Sequence, residues 1–96
     1  MQFPSSERYG LTSQLRRAAV TVLANIVEGN ARVHRREYIH FCHIARASIA
    51  ELKSLLRLSL DLEFLPEGEY RPLFDRYNHL GALLYAMIKS LSPPTR

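Results

Sequence analysis

The sequence has no tryptophan, a single cysteine and only four glycines in 96 residues. A lone Cys42 cannot close an internal disulfide. Nowhere does the chain hold an unbroken apolar run of the roughly 20 residues a bilayer crossing needs. Met1 leads into FPSSE without a basic region and apolar core, so no secretory signal is read. These absences fit a reduced, cytoplasmic setting with no membrane role. No Gly-rich phosphate loop and no Ser/His/Asp arrangement is visible. Strand signals are scarce, and the five prolines lie near the two ends or within Leu65–Pro72. Ninety-six residues form one domain. A chain this short buries only about 60–65% of its unfolded surface, so added burial through self-association would help it.

What remains is helix. Over Leu11–Glu28, Leu11, Leu15, Ala18, Ala19, Val22 and Ile26 recur at three- and four-residue steps, one apolar stripe of an α-helix. The back of the same helix is also apolar, through Val20, Leu23, Ala24 and Val27. Between these faces runs a narrow polar ridge of Gln14, Arg17, Thr21, Asn25 and Glu28, each within hydrogen-bonding reach of the next. If both apolar faces are covered, the ridge is buried and sets register and partner number. Its plainer reading is a solvated stripe. Met1–Gly10 is read as a lead-in segment, with Phe3 and Tyr9 bracketing a turn and Ser5 or Ser6 capping it. Gly29 is read as the left-handed residue that ends the first helix.

The second helix is expected over about residues 35–63. Tyr38, Phe41, Cys42, Ala45, Ile49, Leu52, Leu56 and Ser59 give a near-heptad seam, and Cys42 is read as a small buried hydrophobe. Its reverse side carries Ile39, Ile44, Ala47, Ala50 and Leu58, with Ala47, Ala50 and Ser54 small enough for close helix approach. Pro66 and Gly68 punctuate the following turn. A third helix is expected over about residues 70–91, with Pro72 in its first turn, Glu67 and Glu69 near its positive end, and Ser92-Pro93-Pro94 stopping it. Its seam is Leu73, Tyr77, Leu80, Leu84, Met87, Ile88 and Leu91. The fold class is therefore all-α, an up-down antiparallel bundle. Two consecutive helices with apolar backs point to an oligomer, whose interface would include Val20, Ala24, Ala47 and Ala50 with the polar ridge.

The net charge of +4 is uneven: Arg8–Arg57 carries +6 and Leu58–Arg96 carries −1. A basic half favours a polyanionic partner such as RNA or DNA, or an acidic protein surface, against the alternative of ordinary solubilising charge. The connector Asn30–Arg36 crowds Arg32, His34, Arg35 and Arg36 together, able to hold phosphates or, alternatively, to be a solvated loop paired with Glu37 or a neighbouring subunit. Arg16 and Arg46 complete the candidate nucleic-acid contacts. Glu37-x-x-His40 has the spacing of carboxylate-bridged di-iron bundles, but no second such pair exists. His40 and His43 point away from the seam, Asp75 and His79 face outward, and Cys42 and His43 diverge by about 100°. No catalytic residue, metal site or cofactor is expected. Only Tyr9 and Tyr85 look free for a partner.

The ordered motifs FP-x-x-E-x-YGL-x-SQ-x-RRAA, NIVEG, a basic loop and EY-x-x-F-x-x-IA-x-x-S-x-x-EL resemble a bacterial four-helix-bundle family. This is also called the 23S ribosomal RNA intervening-sequence protein family, and it is related to accessory variability determinant proteins. The likeness runs from Phe3 to about Leu91. Gln14, Arg16, Arg17, Asn25, Glu28 and Gly29 match its signature in the first helix, and Glu37, Tyr38, Phe41, Ser48, Glu51 and Leu52 in the second. The resemblance implies an up-down bundle assembling as a ring of five, with nucleic-acid binding through a basic surface. Family members carry a further helix before FP-x-x-E. Its place is expected to be taken by residues upstream of Met1 or by another chain. The leading expectation is a non-enzymatic oligomeric module that binds RNA or DNA; the competitor is a protein–protein scaffold.

Overall fold

The computed structural model describes residues 5–92, with side chains from Arg8 onward. Three long helices make it up: α1 (Ser5–Asn30), α2 (Arg35–Asp61) and α3 (Glu67–Leu91). No strand occurs among the described residues. The fold is all-α, as the periodicity requires.

The seam read from sequence supplies most of the core, although Met87 of the third helix, read as a seam position, is exposed. On α2, Cys42, Ala45, Ile49, Leu52, Leu56 and Ser59 are buried, with Tyr38 and Phe41 half-buried at its upper end. From α1, Leu11, Ala18 and Val22 are buried, and from α3, Leu84 and Ile88. Tyr70 of α3 is also buried, although its place beside the turn had no periodic signal. Each seam residue shares a helix face with those three or four away, so one stripe of α2 can serve two neighbours at once. α1 and α3 both pack on α2, and their backbones do not approach one another. α2 is thus the central helix, and α1 and α3 come together only through side chains of the shared core clusters. Leu23 of α1 and Leu83 of α3 are both exposed.

The apolar contacts divide into two clusters. The upper one joins Val22, Cys42, Ala45, Ile49, Leu84 and Ile88. The lower one joins Ala18, Leu52, Leu56 and Tyr70. Tyr77 packs against both.

Several boundaries differ from the sequence reading. α1 begins at Ser5, so Tyr9 and Gly10 lie inside the helix and form no turn. Gly10 has open space around it, and a glycine in a helix interior costs only about 0.5–1 kcal/mol. Phe3 and Pro4 of the lead-in segment lie outside the described residues, as do Pro93 and Pro94. Gly29 remains helical and does not take a positive φ. Its role is close approach: a Cβ there would sit 2.9 Å from Phe41 Cβ. The left-handed residue is Glu63, at φ 63°, after α2 ends two residues earlier than expected. Glu63 N–H donates to Leu60 C=O and Phe64 N–H to Ser59 C=O, the paired bonds of a Schellman ending. α3 starts at Glu67, with Glu67 and Glu69 in its first turn, and Pro72 lies past that turn, inside the helix. Its ring removes the donor that would reach Gly68 C=O, and Gly68 is exposed to water.

Candidate nucleic-acid interface

A cation on a helix surface can be neutralised by a carboxylate, held by an aromatic ring, or left to solvent. The first cancels its field; the second orients it without cancelling it. Three ion pairs occur among the described residues, all one helical turn apart: Arg32–Glu28, Arg57–Asp61 and Arg71–Glu67. Six cation–ring contacts occur, against the roughly one strong case per 70–80 residues typical of proteins. Among the described residues, rings hold more cations than carboxylates do.

The five sequence-predicted arginines do not form one patch. Arg16 is exposed on α1, beside Arg8, Tyr9, Thr12 and Ser13 in a shallow depression of about 320 Å³. Arg32, in the connector, donates to Glu28 at 2.7 Å and lies 4.8 Å over the Phe41 ring. Its carboxylate partner is Glu28 of the preceding helix, where the sequence had suggested Glu37 or a neighbour. Arg35 and Arg36 are the first two residues of α2, both exposed and without ion pairs among the described residues. Their charges add to the positive end of the helix dipole, and the cap residue His34 makes no side-chain cap bond. Arg46 lies eleven residues further along α2, roughly 16 Å below Arg35, with its guanidinium 4.7 Å over Tyr85.

Sequence reasoning missed the cations that stand alongside Arg46 on the α2–α3 face. Lys53 Nζ donates to Asn78 Oδ1 at 3.0 Å and lies 5.5 Å from the Phe74 ring centre. Lys89, one turn further along α3, lies 5.7 Å from the same Tyr85 ring. Arg46 and Lys53 are seven residues apart and so share a face of α2, a spacing visible in the sequence. Lys89, Asn78 and Tyr85 join them only because α3 folds back alongside.

The polar ridge is a correction in part. Gln14, Arg17 and Glu28 are exposed, while Thr21 and Asn25 are half-buried. The ridge does not bond along itself through side chains. Thr21 Oγ1 donates to Arg17 C=O and Asn25 Nδ2 to Thr21 C=O, each one turn back along the backbone. Val20, Ala24, Ala47 and Ala50, read as interface positions, are all exposed in the single chain.

Cys42 is buried, with Sγ 3.9 Å from Met87 Sδ, and burial pushes its thiol pKa up. His40 and His43 are exposed on the outer side of α2, and no group of three or more His, Cys, Asp or Glu side chains comes together among the described residues. No helix among the described residues is long and apolar enough to cross a membrane.

The sequence model of the family described as 23S rRNA-intervening sequence protein matches residues 1–86. No curated protein matches the chain.

Proposed function

The chain belongs to the 23S rRNA-intervening sequence protein family, and on that premise we propose that it is a non-enzymatic, self-associating helical module that binds RNA or DNA in the cytoplasm through its basic face. The observation that carries the reading is the state of the cations. Arg16, Arg35, Arg36, Arg46, Lys53 and Lys89 make no ion pair among the described residues. Their field therefore reaches solvent, where a phosphate backbone would meet it. Contacts of this kind supply affinity and register without reading base sequence.

Binding of a single strand through three or four such cations would make log K fall with log salt at a slope of roughly −2 to −3. Fluorescence anisotropy with a labelled RNA, repeated across a salt series, measures this. A flat response, or no binding at low salt, removes the nucleic-acid reading.

Self-association is supported by the surface. The chain exposes 7087 Å², where a compact monomer of its mass exposes roughly 5,700 Å². Tyr9, Val20, Leu23 and Val27 stand 60–74% exposed along α1. The competing reading, a scaffold for a protein partner, shares these faces. It predicts assembly indifferent to nucleic acid and to alanine substitution of Arg32, Arg35 and Arg36.

A further inference from the structure

α2 and α3 meet over small residues. Ala50 of α2 faces Gly81 and Ala82 of α3, and a Cβ built on Gly81 would make only an ordinary contact, 3.6 Å from Ile49 Cγ2. Three positions with little or no side chain leave a cleft of about 340 Å³ between the helices. Its walls are Arg46, Lys53, Asn78 and Tyr85.

Each wall residue is already fixed. Tyr85, 46% exposed, carries Arg46 on its ring at 4.7 Å and Lys89 at 5.7 Å. Lys53 is tied to Asn78 and lies by the ring of Phe74. None of the three cations meets a carboxylate among the described residues. The ion-paired arginines of this face, Arg57 and Arg71, sit nearer the α2–α3 turn with Asp61 and Glu67. The cleft therefore keeps the positive charge of Arg46 and Lys53, with that of Lys89 just beyond Tyr85, while the charge nearer the turn is neutralised. Holding long cationic side chains in advance removes much of the ordering cost that binding otherwise carries.

We propose that this α2–α3 cleft is a site for one nucleotide unit of a single-stranded RNA, its flanking phosphates met by Arg46 beside Tyr85 at one end and by Lys53 beside Asn78 at the other. The inference deepens the nucleic-acid reading above and rests on it. The cleft, about 340 Å³ and open to solvent, has room for one unstacked nucleotide, which a single strand can present and a stacked duplex does not. Asn78 adds an amide able to donate to a sugar or phosphate oxygen. Tyr85 is a positioning residue whose ring holds Arg46 and Lys89, and the outer plane of the Arg46 guanidinium offers a base a surface to stack on.

The test uses the full chain and a fluorescein-labelled single-stranded RNA of mixed sequence. Ala82→Glu places a carboxylate at the rim from an exposed position and should weaken binding about tenfold, the scale of losing one stacked base. Arg46→Ala should also reduce the salt slope by about 0.7, one phosphate contact on a single strand. Tyr85→Trp introduces the protein's one tryptophan, whose emission RNA should quench. If the unaltered chain binds no RNA, the nucleic-acid reading falls and the site with it. If it binds, but Ala82→Glu, Lys53→Gln and Arg46→Ala bind as tightly while Arg35→Ala and Arg36→Ala do not, the site is overturned and the broader reading stands. Equal affinity for polyglutamate would overturn the assignment to RNA.

Discussion

Glu63 holds φ at 63°, a conformation that costs a residue with a Cβ about 1–2 kcal/mol and glycine nothing. Glu63→Gly should therefore stabilise the fold by about 0.5–1 kcal/mol once the greater freedom of glycine in the unfolded chain is counted, raising Tm by a few degrees in a thermal melt. Gly29 presents the opposite case. Its conformation is ordinary, but α2 runs so close that Gly29→Ala must push Phe41 away. A net loss of about 1–2 kcal/mol is expected in the same melt, despite the better helix propensity of alanine. Cys42 supplies a pH signature. Burial raises its folded-state pKa above the ordinary 9.0, so the folded protein binds this proton more tightly than the unfolded chain. Its contribution is whole below pH 9.0 and is lost as pH rises toward the folded value. Cys42→Ala should flatten the fall in urea stability above that pH, and the native thiol should react slowly with alkylating reagents at neutral pH.

Among the helices, α2 was the most legible. Its seam from Cys42 to Ser59 is buried residue for residue, because the central helix meets a neighbour on each side of one stripe. α1 was legible by face but not by end. Gly10 reads as a turn locally, yet a helix carrying Leu11, Leu15 and Ala18 into a core tolerates one glycine's cost. The Glu63 ending was invisible because its signal is a backbone conformation that glutamate rarely adopts. The site divides the same way: Arg46 was found from its charge, whereas Lys53, Asn78 and Lys89 acquire meaning only where α3 returns beside α2. Pro72 offers a test at this scale. It lies inside α3 with a donor missing, so Pro72→Ala should stabilise the helix by about 1–3 kcal/mol, measured by urea denaturation with circular dichroism.

For the molecule as a whole, the extents of 55 × 21 × 19 Å describe a rod about two helix diameters across. Such a shape shields little, and the exposed stripe of Val20, Leu23 and Val27 on α1 is the result. Val20→Glu and Ala24→Glu, both at exposed positions, should lower the mass seen by light scattering while leaving the melt nearly unchanged. Unchanged mass would remove α1 from the proposed self-association. The two apolar clusters share one residue, Tyr77, so the rod is fastened at two levels with a single rivet between. Loosening that rivet, as in Tyr77→Ala, should let the upper and lower levels open independently. Amide exchange would then show two protection plateaus in place of one, with the halves of each helix parting company near its midpoint.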